Sequence, residues 1–84
     1  MRKLTLYSKP GCHLCDEMKA VIDAVAARVP LALDVVDITT DPALVVRYGV
    51  DIPVLLIEGR KAAKHRLTER ELEAKLRRHG QGGA

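Results

Sequence analysis

Aromatic residues are nearly missing from this sequence. It contains no Trp and no Phe, and Tyr7 and Tyr48 are its only aromatic residues. A core of normal packing density must therefore be built from Leu, Val, Ile and Ala. Proteins that bind single-stranded nucleic acid stack the bases on several aromatic side chains. The composition therefore predicts that nucleic acid is not a partner.

Long apolar runs are also lacking. No stretch approaches the ~18 apolar residues that a membrane span requires. The N-terminal segment 1–7 is basic, but its apolar run is too short for a signal peptide and alternates like a strand. We therefore expect a cytoplasmic protein with no membrane partner. In that compartment thiols stay reduced, so two cysteines three residues apart are not expected to serve only as a structural cross-link.

The length and charge favour one small folded domain. The chain has 84 residues, of which 48% are hydrophobic and 30% are charged. We predict a domain over residues 1–79 and a flexible, glycine-rich tail over 80–84. The net charge of +3 is uneven, because residues 60–84 carry 8 basic and 3 acidic residues. Interleaved acidic residues favour a solvated helix face for this quarter, and attraction of phosphate or an acidic partner is the alternative.

Hydrophobic periodicity predicts the order β-α-β-α-β-β-α. The predicted strands cover residues 3–7, 31–38, 54–57 and 62–66, and the predicted helices cover 12–28, 42–48 and 69–79. The first β-α-β unit implies a right-handed parallel crossover. The last two strands are close enough for an antiparallel hairpin that turns at Gly59 and Arg60.

The last predicted helix has the clearest local signals. Thr68 and Glu71 form a capping box, and Leu67 and Leu72 occupy the hydrophobic-staple positions around it. Gly80 is placed to end the helix.

The pair Cys12 and Cys15 lies where the first predicted helix begins. Free backbone N–H groups and the helix dipole stabilise a thiolate there, and the thiolate is the reactive form of cysteine. Cys15 lies one turn further on the same side, so it can attack a mixed disulfide formed at Cys12. Lys9 and His13 add positive charge nearby, which two following acidic residues oppose.

Two other interpretations of the cysteines remain open at this point. A structural zinc site needs a second ligand pair, and His65 and His79 are not spaced as one. A pair of inert buried thiols is the other alternative. For His13, tuning of the cysteines competes with a solvent-facing role, and His65 and His79 are interpreted as surface residues.

A second notable element is Ile52–Pro53, just before the apolar strand. Taken with the cysteines, it makes the chain resemble a known family. The Cys12–Cys15 pair after a strand, followed by Ile52–Pro53 before a hairpin and a last helix, resembles the thioredoxin fold. The short length and the segment 7–15 resemble glutaredoxin-like proteins, and the resemblance covers about residues 3–79. It implies an α/β fold with a mixed four-stranded sheet flanked by three helices.

The resemblance also implies site roles. Cys12 would be the attacking thiol and Cys15 the resolving one. Pro53 would be cis and face the cysteines, and the backbone of Ile52 would pair with the substrate. Lys9 matches a lysine that holds a glutathione carboxylate.

Several departures from the glutaredoxin pattern weaken the case for glutathione. His13–Leu14 replaces Pro-Tyr between the cysteines, and Asp51 replaces the Thr or Ser before the Ile-Pro pair. The segment 58–61 replaces a Gly-Gly pair and an Asp that bind the rest of glutathione. We therefore expect glutathione to be only a weak co-substrate.

The sequence thus predicts a small dithiol thiol–disulfide oxidoreductase. We expect a monomer with no bound metal or cofactor, whose Cys12–Cys15 disulfide passes electrons to disulfide-containing proteins or low-molecular-weight thiols. Glutathione or a reductase would regenerate it. The alternative is a redox-sensing or partner-binding module without turnover, which would use the groove at Ile52–Pro53 and the basic residues Arg60, Lys61, Lys64 and Arg66. A two-iron cluster carrier is a third, weaker hypothesis.

Overall fold

The predicted element order is confirmed in the computed structural model, which describes the backbone of residues 1–82 and the side chains of residues 1–78. The strands are β1 (Arg2–Ser8), β2 (Leu31–Asp37), β3 (Val54–Ile57) and β4 (Arg60–Lys64). The helices are α1 (His13–Ala26), α2 (Pro42–Tyr48) and α3 (Glu69–Gly82), and a 3-10 turn (Ile38–Thr40) joins β2 to α2.

The four strands form one mixed sheet in the order β2-β1-β3-β4. β1 and β2 run parallel, as the crossover through α1 requires, and the β1–β3 and β3–β4 pairs are antiparallel. The fold implied by the resemblance, a mixed four-stranded sheet with three helices, is confirmed within residues 1–82. Because successive side chains of a strand point to opposite faces, the sheet has two separately packed sides.

The larger cluster, here the major core, lies between the sheet and helices α1 and α3. Its buried members are Leu4, Leu6, Met18, Ile22, Val25, Leu55, Ile57, Leu67, Leu72 and Leu76. The smaller cluster, here the minor core, lies on the side of α2. It consists of Cys15, Ile38, Tyr48, Ile52 and Val54, with Tyr7, Cys12, Leu44 and Leu56 partly buried against it. Both cysteines therefore belong to the minor core.

The predicted start of α3 is confirmed in detail. The Thr68 N–H donates to Glu71 Oε1 at 2.9 Å, and the Glu71 N–H donates to Thr68 Oγ1 at 3.1 Å. Leu67 and Leu72 are both buried in the major core. The predicted end is wrong, because α3 passes Gly80 and continues to Gly82. A glycine lowers helix stability by about 1 kcal/mol relative to Ala without forbidding a helix.

The C-terminal predictions are covered only in part by the described residues. Gly83 and Ala84, the end of the predicted tail, lie outside them, as does the side chain of His79.

The hairpin between β3 and β4 differs from its prediction. The turn is Glu58–Gly59, with φ values of 50° and 81°, and β4 covers Arg60–Lys64 instead of 62–66. Two consecutive positive φ angles are the requirement of the favoured two-residue hairpin turn, so strand pairing resumes at once with Ile57 opposite Arg60. The pairing then shifts by one residue between Leu55 and Leu56, which is a β-bulge.

Candidate redox site

Cys12 is the N-cap residue of α1. The loop before it turns at Gly11, whose φ of 75° favours glycine. Cys12 itself is extended, and its Sγ accepts a hydrogen bond from the Cys15 N–H at 3.1 Å. Cys12 and Cys15 form a disulfide, and their Cα atoms lie 5.2 Å apart. The sulfur of Cys12 thus sits where the unpaired N–H groups of the helix point.

The two sulfurs differ in accessibility. Cys15 is only 3% exposed and packs in the minor core, whereas Cys12 is partly exposed at its edge. An external disulfide can therefore approach Cys12 more readily than Cys15. This asymmetry is the one expected for an attacking thiol and a protected resolving thiol.

Two tyrosines form the aromatic wall of the minor core. The rings of Tyr7 and Tyr48 stack with centroids 4.4 Å apart and planes 16° from parallel. Sequence reasoning did not find this pair, because no local spacing connects β1 to the end of α2. The sequence offered one sign of this contact, because Tyr7 and Tyr48 are the only aromatic residues of the chain.

The Ile52–Pro53 peptide bond is cis, as the resemblance implied. Both residues are buried, and Ile52 shares the minor core with Cys15. The Ile52 N–H donates to the Tyr48 carbonyl at 3.0 Å, and the Asp51 N–H donates to the same oxygen at 2.8 Å. The N–H of Ile52 is thus already used within the chain. Among the residues that the structure describes, no backbone N–H donates to the Ile52 carbonyl.

Residues at the end of β4 hold the loop that precedes Pro53. Sequence reasoning did not find these contacts. The His65 N–H donates to the Pro53 carbonyl at 2.9 Å, and His65 Nε2 lies 3.4 Å from the Val50 carbonyl oxygen. Lys64 Nζ lies 3.6 Å from Asp51 Oδ1. His65, interpreted from sequence as a surface residue, is exposed, but it reaches this position with a φ of 68°.

Lys9 and His13 lie outside this packed arrangement. Lys9 is exposed, and His13, which is 88% exposed, contacts Glu17 at 3.1 Å one turn along α1. No hydrogen bond or ion pair within residues 1–78 joins either side chain to a cysteine. In this disulfide form, therefore, neither contributes a direct contact to the sulfur atoms.

In the part of the chain that the structure describes, no three His, Cys, Asp or Glu residues are grouped so that they could hold a metal ion. None of the helices described is long and apolar enough to span a membrane.

The fold and the cysteine pair together define a thioredoxin-fold protein. A family model described as "Glutaredoxin-like domain (DUF836)" matches residues 3–77. The chain belongs to this glutaredoxin-like family.

Solved structures with similar folds agree with this assignment. Protein XcR50 from X. campestris is 36% identical, with a TM-score of 0.75 over 88% of this chain and 95% of its own. Protein Ne2328 from Nitrosomonas europaea is 30% identical, with a TM-score of 0.76 over 88% and 89%. Desulfothioredoxin from Desulfovibrio vulgaris Hildenborough is 29% identical, with a TM-score of 0.67 over 87% and 76%. Together with the cysteine pair, these relatives support a redox thioredoxin-fold module.

Proposed function

We propose that this protein is a thiol–disulfide oxidoreductase with a dithiol mechanism. The observation that carries the proposal is the Cys12–Cys15 disulfide at the start of α1, with Cys12 partly exposed and Cys15 buried. The N–H of Cys15, 3.1 Å from Cys12 Sγ, would donate to a thiolate at that position in the reduced protein. Reduced thiols are maintained in the cytoplasm, which is the setting we propose.

In the proposed cycle, the Cys12 thiolate attacks one sulfur of a substrate disulfide. A bond forms between Cys12 and that sulfur, and the other substrate sulfur leaves as a thiolate and takes up a proton. The Cys15 thiolate then attacks Cys12 Sγ, which breaks the mixed disulfide and releases the second substrate thiol. The substrate gains two electrons, and the protein is left with the Cys12–Cys15 disulfide.

Protein disulfides are the substrates that the surface favours. Val46 in α2 and Val50 in the turn after it are 88% and 90% exposed. They leave exposed apolar side chains in the segment that leads to Ile52–Pro53, and a polypeptide can cover more of such surface than a small thiol can. The carbonyl of Ile52 would accept one hydrogen bond from the substrate backbone.

We propose a protein reductase as the better electron donor and glutathione as a weak one. Lys9 is exposed and can attract a carboxylate, but an exposed single charge contributes at most about 1 kcal/mol. Arg60 and Lys61 cannot complete a glutathione site beside Cys12, because they begin β4 at the end of the hairpin remote from Pro53. Glutathione turnover should therefore be slow and should weaken with salt.

Insulin reduction with either donor tests the proposal. We expect catalytic turnover in the wild-type chain and none in Cys12→Ser, whereas Cys15→Ser should accumulate a mixed disulfide. Stoichiometric capture of substrate without turnover would instead favour the partner-binding module. Efficient glutathione turnover that does not respond to salt would contradict the ranking of the donors.

A further inference from the structure

We propose that a groove between α2 and the β3–β4 hairpin binds an acidic side chain of the protein substrate. The groove has a volume of about 200 Å³ and is lined by Arg47, Tyr48, Leu56, Gly59 and Lys61. This inference rests on the proposed function, because the acidic side chain belongs to the protein whose disulfide is reduced.

The groove carries two positive charges, those of Arg47 and Lys61. Within residues 1–78, neither Arg47 nor Lys61 takes part in an ion pair. The acidic residues that follow α2 and β3 are engaged elsewhere, since Asp51 faces Lys64 and Glu58 accepts a hydrogen bond from the Lys3 N–H at 3.1 Å. Two cations at one groove leave a positive potential that an anion would compensate.

Arg47 is exposed and contacts the ring of Tyr48. Its guanidinium carbon lies 5.3 Å from the centroid of the Tyr48 ring, which is a cation–π arrangement. Tyr48 is itself fixed by burial and by its stacking on Tyr7. This contact favours a guanidinium orientation over the Tyr48 ring, and the planar fork of the guanidinium suits a carboxylate.

The apolar lining favours a carboxylate on an aliphatic stem. Leu56 is half-buried on the face of the sheet that carries the minor core, beside the ring of Tyr48. The methylene groups of a Glu side chain would be removed from water against these two residues, which inorganic phosphate cannot achieve. The small volume fits one side chain better than a molecule of cofactor size.

The position of the groove relates the bound side chain to the disulfide. Leu56 is three residues beyond Pro53 on β3, a distance of about 10 Å at 3.3 Å per residue. Tyr48 both lines the groove and belongs to the minor core that contains the cysteines. An extended substrate would therefore place the acidic residue about three residues from its target cysteine.

A binding experiment separates this inference from catalysis. The full chain with Cys12→Ser and Cys15→Ser is labelled with ¹⁵N and titrated with short peptides whose central cysteine is replaced by Ser. The peptides carry Glu, or Gln in its place, about three residues before or after that position. We expect a Glu peptide to shift the amide NMR signals of Tyr48, Gly59 and Lys61. Both Arg47→Gln and Lys61→Glu should weaken its binding, and the charge reversal in Lys61→Glu should weaken it by about tenfold.

Arg60→Glu is the matched control. It changes the net charge by the same amount as Lys61→Glu. Arg60 is opposite Ile57 and Lys61 is opposite Leu56, so the side chains of Arg60 and Lys61 lie on opposite faces of the sheet. We expect it to leave binding unchanged, and circular dichroism checks the fold of each variant. Equal weakening by Arg60→Glu would overturn the inference, because it would show a general charge effect. Displacement by inorganic phosphate or glutathione at matched ionic strength, as effective as by the Glu peptide, would overturn it as well.

The last measurement is the reduction, by the wild-type chain and the same charge variants, of disulfide-linked peptides that keep the central cysteine and carry Glu or Gln at the same positions. We expect a preference in kcat/KM for the Glu peptide that Lys61→Glu abolishes and Arg60→Glu retains. Shifts at the groove without any turnover would support the groove and refute the proposed oxidoreductase. Turnover without a Glu preference, and without shifts at the groove, would refute the groove alone.

Discussion

Tyr7 of β1 and Tyr48 of α2 stack face to face at 4.4 Å, and this contact fixes the wall against which the cysteine pair packs. The carbonyl of Tyr48 also accepts hydrogen bonds from the N–H groups of Asp51 and Ile52. One residue thus connects the sheet, the cysteines and the loop before Pro53. Its effects on stability and on the site are expected to be coupled.

A double-mutant cycle on the stacked rings measures this contact. Tyr7→Leu and Tyr48→Leu should each destabilise the fold, and the pair should be non-additive by about 0.5–1.5 kcal/mol, the range for aromatic pairs. Urea denaturation gives the four free energies of unfolding. Tyr7→Leu combined with Leu72→Ala, in the major core, is the control and should be nearly additive. An additive tyrosine pair would show that the stack adds nothing beyond burial.

The reduced protein should be alkylated first at Cys12. Cys12 is partly exposed at the helix start and Cys15 is 3% exposed, so iodoacetamide at neutral pH should modify Cys12 much faster. Peptide mapping at early times gives the two rates, and denaturant should make them similar. Modification of Cys15 at an equal or greater rate in the folded protein would reverse the assigned roles.

The capping box of α3 should contribute measurably to stability. Thr68→Ala removes the hydroxyl that accepts the Glu71 N–H and should destabilise the fold by about 1 kcal/mol. Thr68→Ser keeps an acceptor and should restore most of the loss. Thermal denaturation of the three proteins provides the comparison. Equal melting temperatures for the Ala and Ser variants would show that the hydroxyl is unimportant.

The same motif predicts a pH dependence. The hydrogen bond from the Thr68 N–H, followed by that with the Thr68 side chain, lowers the pKa of Glu71 below its ordinary 4.5. A lowered folded-state pKa means that the stabilisation is present above pH 4.5 and is lost as the pH falls through the folded-state value. The difference in stability between wild type and Glu71→Gln should therefore shrink as the pH falls below 4.5. A constant difference down to acid pH would contradict this origin.

His65 should tolerate glycine better than alanine. Its φ of 68° is costly for residues with a Cβ, by roughly 1–2 kcal/mol, and free for glycine. We expect His65→Gly to be more stable than His65→Ala, because both lose the imidazole but only alanine keeps the strain. The same two substitutions at Arg66, which has no positive φ, should show the opposite order. Melting temperatures check both comparisons.

The parts of the fold that depend on neighbours in sequence could be predicted. The run Val54–Ile57 was predicted residue for residue, because an apolar run bounded by proline and a turn is a local pattern. The capping box of α3 is equally local, since it spans only Thr68 to Glu71. The position of the cysteines at the start of α1 followed from the same reasoning.

The contacts that complete the site depend on register, which the sequence does not reveal. Counting back from Ile57 opposite Arg60 in a regular ladder would place Lys64 opposite Pro53. The bulge between Leu55 and Leu56 shifts the pairing by one residue, so His65 reaches Pro53 instead. The Tyr7–Tyr48 stack likewise depends on how α2 packs over the sheet. Both features arise from packing between distant segments, which periodicity does not encode.

The scarcity of aromatic residues has an optical consequence. With no Trp and no Phe, the ultraviolet fluorescence of the folded chain comes from Tyr7 and Tyr48, and both lie in the cluster that holds the disulfide. Because both rings pack beside the cysteines, we expect opening of the Cys12–Cys15 bond to change the surroundings of both tyrosines. We therefore expect tyrosine emission of the unlabelled protein to follow its oxidation state when it is titrated with a redox buffer.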